Sequence, residues 1–405
     1  MLEYQPFYQP KLRIAILSPG LSTGGAEIWQ ATLVRHAQTV SYKCLISLDW
    51  TPTHVLPLFG GVPIHTATGG ALEVANKAHE VIPSVGGVDL VMYWGLDPMP
   101  QLENLGVPVV HVSHSSGMEI SRRESHEEFV IRHGKSRANF LASVSESASL
   151  LFNHALREKE SITVIHNGAD IERTRPKFGG AEQRKRWQIP KEAKLALFMG
   201  RFSEEKGPDL LLKAMTLLPD EWHVAFMGWG PMEDELKKRA RHMLPKGTTD
   251  SLSRVVFPQP RISGLGDIYA ASDCVVLPSF SEAFPLVMVE AWHAGIPLVC
   301  AEFNTLKEIE TTYASGQSMA WHVGCPPTPR ELASAIQQTD SNDERVERAC
   351  QISWNNFSAA AMTARWESYF YKCVSEWFAI GQLGMLQVSP PQELLDDADG
   401  LHYPV

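Results

Sequence analysis

Short apolar runs alternate with longer amphipathic stretches along most of the chain, the pattern of parallel strands buried beneath helices. In the first half, strands are predicted over 13–17, 43–48, 90–93, 109–112, 140–144 and 162–165. The second half repeats the rhythm over 195–199, 223–227, 254–257, 274–277 and 298–300. Between the halves, 170–191 is polar and carries Pro176, Gly179, Gly180 and Pro190, which reads as a linker. Residues 356–380 read as one long helix rich in aromatic side chains (Trp366, Tyr369, Phe370, Tyr371, Trp377), whose apolar face needs a cover. From Gln387 the chain is rich in Pro and Asp and reads as a loose tail.

The two halves open alike, each with a strand, a glycine-bearing turn and a helix. Ser18-Pro-Gly-Leu-Ser-Thr-Gly-Gly-Ala26 follows the first strand, and Gly200-Arg-Phe-Ser-Glu-Glu-Lys-Gly207 follows its counterpart. This resembles two Rossmann-like domains in tandem, so the expected class is α/β, with two such domains facing across a cleft. The expected divisions are 1–172, 173–354, a helix over 355–382 packing back on the first domain, and a tail over 383–405.

Composition narrows the picture. With 405 residues, 44% apolar and 20% charged, the chain is long enough for two or three domains with cores of their own. A net charge of −10 argues against nucleic acid as a partner and limits membrane contact to a peripheral kind. Cys44, Cys274, Cys300, Cys325, Cys350 and Cys373 form no C-x-x-C pair and fit reduced thiols in a cytoplasmic protein. The first eleven residues lack the apolar core of an export signal, and no run of 18 apolar residues suggests a membrane span.

The most specific segment runs from Leu277 to Pro297. A strand ends there, a loop carries Glu282, and a helix starting near Pro285 carries Glu290. The first amides of such a helix lack intrahelical acceptors and favour an anion. Over a continuous helix, eight positions correspond to ~12 Å, far beyond the ~5.5 Å of a nucleophile and acid pair in a retaining glycosidase. Two separate hydroxyl-binding carboxylates are the better reading. A second segment, Phe198 to Asp209, places Pro208 in a first helical turn and Lys206 beside its positive end. That position disfavours a cation unless an anion lies between Lys206 and Arg201.

Together these segments resemble the retaining glycosyltransferases of family 4, with E-x7-E at Glu282 and Glu290, Tyr269-Ala-Ala-Ser-Asp-Cys-Val-Val-Leu-Pro-Ser279 before it and Ala294-Gly295-Ile-Pro297 after it. The resemblance covers about residues 13–310 and implies a GT-B fold. It implies that Glu282 contacts hydroxyls of the transferred sugar, Glu290 the ribose, and Arg201 and Lys206 the donor diphosphate. Ala283 and Pro285 stand where the family often has glycine; proline has no N–H, which leaves Phe284, Leu286 and Val287 as donor contacts. Gly228-Trp-Gly-Pro231 resembles the family's G-x-G-P turn, with packing an equal reading, and 257–262, including Arg261, falls where relatives line the nucleotide base.

In the first half, Gly24 and Gly25 lack the spacing of a dinucleotide fingerprint and resemble the family's glycine loop. His114 is the choice for the histidine that relatives hold beside the reacting centre, with His111 as the alternative. His166 replaces a frequent proline. Trp29, Tyr93 and Trp94 suit either acceptor stacking or core, at least two of them core. The basic residues Arg122, Arg123, Arg132, Lys135 and Arg137 read as a solvated helix face, with contact to an anionic acceptor or a lipid surface as the alternative.

No zinc-type cluster is expected, and the one Asp-x-Asp, Asp397-Ala-Asp399, lies in the tail. The expected function is transfer of a sugar from a nucleotide-diphosphate sugar, UDP- or GDP-linked, to a glycan, glycolipid or other hydroxyl acceptor. No metal and no cofactor are expected. A nucleotide-sugar epimerase or hydrolase, or a non-catalytic binding subunit, are the alternatives.

Overall fold

The computed structural model describes residues 10–21, 24–48, 55–95, 99–114, 138–155, 162–243, 254–261 and 263–380. Within them, the apolar runs become the strands of two parallel sheets. The first holds β1 (Leu12–Ser18), β2 (Val40–Leu48), β3 (Ile64–Ala67), β4 (Leu90–Trp94), β5 (Val109–Ser113), β6 (Phe140–Ser143) and β7 (Ile162–Val164). Their order is β3-β2-β1-β4-β5-β6-β7. Helices α1 (Gly25–His36), α2 (Ala71–Ser84) and α3 (Glu146–Ala155) belong to this lobe.

Two helices follow, α4 (Ile171–Thr174) and α5 (Gly180–Arg186). The second sheet is built from β8 (Lys194–Met199), β9 (Trp222–Met227), β10 (Val255–Val256), β11 (Cys274–Leu277), β12 (Leu298–Ala301) and β13 (Trp321–Val323), in the order β10-β9-β8-β11-β12-β13. Its helices are α6 (Pro208–Met215), α7 (Glu233–Met243), α8 (Gly266–Ala271), α9 (Leu286–His293), α10 (Asn304–Tyr313), α11 (Pro329–Gln337) and α12 (Glu344–Asn356), and α13 (Ala359–Ile380) ends the described chain. The long helix expected over 356–380 thus starts three residues later, after a break at Phe357 and Ser358. β3 and β13 were not foreseen.

The polar stretch over 170–191 joins the two sheets and carries α4 and α5, so it is structured along its length. Asp267 Oδ1 accepts the amides of Lys177, Phe178 and Gly179, each at 2.8 Å. Arg184 donates to the Ala271 carbonyl at 2.8 Å and to Asp273 at 2.6 Å. Most of the segment faces solvent, while its hydrogen bonds to α8 and to Asp273 just before β11 hold it against the second lobe. Burial raises the cost of charge on Asp267, yet its three amide donors hold the carboxyl below the usual carboxylate range.

The core of the second lobe is one cluster around β8, β9, β11 and β12. In the first lobe, one face of the sheet packs on α2 and the other on α1 and α13. Met362, Trp366, Tyr369, Phe370, Cys373 and Val374 of α13 are all in that second cluster, so the end of the described chain completes the core begun by β1. Glu367, fully buried, accepts the amides of Gln38 and Thr39 and the Thr39 hydroxyl, fastening α13 at the end of α1. Cys44, Cys274, Cys300 and Cys373 are buried free thiols, and Cys325 is an exposed one.

In each sheet the direction of winding reverses once, between β1 and β4 and between β8 and β11. In open parallel sheets the crevice beyond the carboxyl ends of the strands at such a point is where ligands bind. The described residues hold two of them. Among the described residues no helix is long and apolar enough to cross a membrane.

Candidate active site

In the second lobe the reversal brings the loop after β8 against the loop after β11. Gly207 has φ +64°, and a Cβ there would lie 2.5 Å from the Pro278 carbonyl oxygen, so glycine permits the approach. The Phe280 amide donates to the Glu205 carbonyl at 2.8 Å. Across this junction Lys206 Nζ donates to Glu282 Oε2 at 2.7 Å, and Ser279 Oγ donates to Oε1 at 2.7 Å. Glu282 is only 9% exposed. The cation beside the positive helix end thus has a carboxylate partner within the protein, 76 residues away in sequence.

Glu290 lies inside α9 and has separate partners. Its Oε2 accepts the Tyr269 hydroxyl at 2.7 Å, and its Oε1 accepts Arg173 Nε at 3.1 Å. With 2% exposure, the cost of burying this carboxylate is offset by the hydrogen bonds that both of its oxygens accept. Burial, and then the neighbouring Glu290, push the Tyr269 phenol well above its ordinary range, which keeps it a donor. The two glutamates share no partner, so they act as separate groups. Sequence reasoning missed Ser279, Tyr269 and Arg173 as partners, although Tyr269 and Ser279 both lie within the quoted motif.

Arg201 is exposed, with its guanidinium carbon 6.0 Å from the centre of the half-exposed Trp229 ring. A Cβ on Gly228 would run into the Gly200 carbonyl, so this glycine lets the turns after β8 and β9 touch. Phe284 and Leu286 are buried and Val287 half-buried at the start of α9. Phe284 turns its ring toward His166, at 5.4 Å between centres. Arg261 is exposed on the loop after β10, and among the described residues no hydrogen bond or ion pair joins it to the other candidates.

In the first lobe Gly24 caps α1, its carbonyl accepting the Ile28 amide at 3.0 Å, and Gly25 opens the helix with free space around its Cα. His114 follows β5. Its ring sits edge-on to Trp29 at 4.2 Å and to Trp94 at 5.5 Å, and its Nε2 is buried without a hydrogen-bond partner. Burial pushes the imidazole down to about 3, so it is neutral at pH 7. Trp29, Tyr93 and Trp94 are all buried, which places them in the core and not on a surface open to an acceptor. His111 stacks on Tyr93 at 4.2 Å and is buried in the sheet. The basic residues from Arg122 to Arg137 and the Asp397-Ala-Asp399 triplet lie outside the described residues.

Two parallel sheets that reverse their winding at corresponding points, each with helices packed on it, give the chain the GT-B fold of its structural neighbours. HepE of Anabaena, solved in complex with UDP and glucose, matches it with a TM-score of 0.73 and 18% identity over 89% of this chain and 100% of that one. Residues 180–352, which include both ion pairs' carboxylates, match the family described as glycosyl transferases group 1. The chain is 31% identical over 230 residues to the D-inositol 3-phosphate glycosyltransferase of Streptomyces scabiei (strain 87.22), covering 50% of this chain and 49% of that protein. It is 28% identical over 410 residues to D-inositol 3-phosphate glycosyltransferase 2 of Catenulispora acidiphila, covering 86% and 93%. The aligned part thus spans about half the length of the Streptomyces scabiei relative.

Proposed function

We propose that the protein is a retaining glycosyltransferase that moves a hexosyl group from a nucleotide-diphosphate sugar to a hydroxyl of a glycan, glycolipid or similar acceptor. The observation that carries this reading is the Lys206–Glu282 pair at the reversal between β8 and β11. It sets a cation and a hydroxyl-accepting carboxylate side by side where a diphosphate and its sugar would need them. The complex of HepE with UDP and glucose supports a UDP-sugar donor, with a GDP-sugar as the alternative.

In this reading the diphosphate lies along Arg201, Lys206 and the first amides of α9, whose dipole favours negative charge. Lys206 turns from Glu282 toward the phosphate, and Glu282 is released to accept hydroxyls of the sugar. Glu290, oriented by Tyr269 and Arg173, takes the ribose. The acceptor binds on the first lobe, with neutral His114 near the reacting carbon. The acceptor oxygen attacks the anomeric carbon on the face the phosphate leaves, and the departing phosphate oxygen takes the acceptor proton. Arg201 and Lys206 stabilise the growing charge, a positioned electrostatic contribution that no divalent metal is needed to supply.

Incubation with UDP- and GDP-sugars, followed by free nucleotide with and without acceptor, tests the proposal. Release that depends on an acceptor is expected. Release without an acceptor would identify a hydrolase, and binding without release a non-catalytic subunit. A charge-assisted hydrogen bond is worth ~1.5–3 kcal/mol, so Lys206→Ala should lower kcat/KM by roughly one to two orders of magnitude. Unchanged turnover in that variant would overturn the assignment.

A further inference from the structure

The side chain of Glu282 is held wholly by its own lobe, but its main chain is not. Thr305 Oγ1 of α10 contacts the carbonyls of Glu282 at 3.0 Å and Ala283 at 2.9 Å. The Ala283 carbonyl also accepts Ser145 Oγ from the other lobe, at 2.6 Å across 138 residues. Ser145 immediately precedes α3, and its Oγ accepts the Ala148 amide at 3.0 Å. With its lone pair committed to this cap, the hydroxyl has its proton free for an outside acceptor. Ser145 is fully buried.

The surroundings hold this contact in register. One helical turn beyond Thr305, Glu308 accepts the α3 amides of Glu146 at 2.9 Å and Ser147 at 3.4 Å, setting a carboxylate at the positive end of α3. His166 of the first lobe meets Glu308 through Nε2 at 2.6 Å and the Tyr313 hydroxyl through Nδ1 at 2.8 Å. Asn167 Nδ2 donates to the Phe284 carbonyl at 3.4 Å. The first lobe therefore grips two successive carbonyls directly after Glu282.

We propose that Ser145 is a positioning residue for Glu282: when α3 docks on α10, its hydroxyl fixes the Ala283 carbonyl and so sets the direction of the Glu282 carboxylate. Ser145 touches no substrate. The inference rests on the reading of Glu282 as the group that receives the donor sugar, and it makes that group fully competent only while the lobes are together.

The test compares Ser145→Ala, Ser145→Thr and, as reference, Glu282→Gln in the full chain. Steady-state kinetics use the UDP- or GDP-sugar that turns over, and hydrogen–deuterium exchange is followed on the free protein. Ser145→Ala should lower kcat about three- to tenfold, the size expected for loss of one neutral hydrogen bond, with donor KM little changed. Its amides over 279–287 should exchange faster, and Ser145→Thr should restore both. Normal kcat in Ser145→Ala alongside a damaged Glu282→Gln would overturn the role of Ser145 and leave the reading of Glu282 intact. Normal kcat in Glu282→Gln would overturn that reading instead; the exchange data still decide whether Ser145 orders the loop. Faster exchange confined to α3, with the 279–287 loop unchanged, would reduce Ser145 to a helix cap and overturn the proposal.

Discussion

The two lobes wind their sheets in the same order yet carry opposite chemistry at the carboxyl ends of the strands. The second lobe presents charge in prepared pairs, Lys206 with Glu282 and Arg173 with Glu290. The first presents a neutral histidine among indole rings, and the Nε1 atoms of Trp29, Trp94 and Trp366 are buried there without partners. The shared topology decides where a ligand can lie, and the side chains beyond each reversal decide what kind. In the proposed donor site the charges are already paired within the protein, whereas the neutral side is shaped mainly by packing.

If packing mainly shapes the first lobe's site, removing one ring should be costly there and silent across the cleft. Trp366 is fully buried, with its ring centre 5.3 Å from Trp29, which in turn contacts His114. Trp366→Ala should lose ~3–5 kcal/mol of unfolding free energy, measured by urea denaturation. Nucleotide affinity of the variant that remains folded should stay within about twofold, as expected for sites that share no partners. A loss below ~1 kcal/mol, the ordinary effect of a point change, would mean that α13 is peripheral and the comparison is drawn wrongly.

A finer test uses one histidine from each lobe, because their proton affinities move in opposite directions. His114 falls from 6.5 to about 3 through burial. Below 6.5 the unfolded chain takes a proton that the folded chain refuses, so His114 contributes stability that is complete above 6.5 and is lost as pH falls toward 3. His322 is raised, first by its bond to Glu310 at 2.8 Å and further by Glu302, which Lys307 also faces. Its contribution is complete below 6.5 and is lost as pH rises through its elevated folded value. A tenfold change in proton affinity is worth ~1.4 kcal/mol. Denaturation midpoints across pH should therefore show His114→Gln flattening the acid limb and His322→Gln the limb above neutrality. The same limb flattened in both would remove the contrast.

How far this was legible follows from what each feature needs. Central strands such as β8 and β11 are covered on both faces and read as continuous apolar runs. β3 (Ile-His-Thr-Ala) and β13 (Trp-His-Val) lie at sheet edges, carry a histidine in place of an unbroken run, and gave no such signal. In the site, Lys206 and Glu282 each stood out within a local motif. Their pairing did not, because nothing local links positions 76 apart. Arg173 was hidden in a stretch whose polarity resembles a linker, and Ser145 is an ordinary serine until the other lobe supplies Ala283. The motif drew attention to Lys206, Glu282 and Glu290, and only the packed chain reported what holds them.

The smallest expected effect concerns the aromatic ring that breaks the division between lobes, Trp229. Unlike the indoles of the first lobe it is 45% exposed, and its neighbour is a cation, the Arg201 guanidinium at 6.0 Å. Such an exposed contact is worth ~0.5–1 kcal/mol, so Trp229→Ala should reduce donor kcat/KM about two- to fivefold. Trp229→Phe, which keeps a ring face, should recover part of that loss. Stability should change by no more than ~0.5 kcal/mol, because little packing is removed at a surface position. No kinetic change would mean that Arg201 needs no support and that aromatic rings matter only in the first lobe. A loss beyond about tenfold, ~1.4 kcal/mol, would exceed the cation contact and place Trp229 against the donor itself.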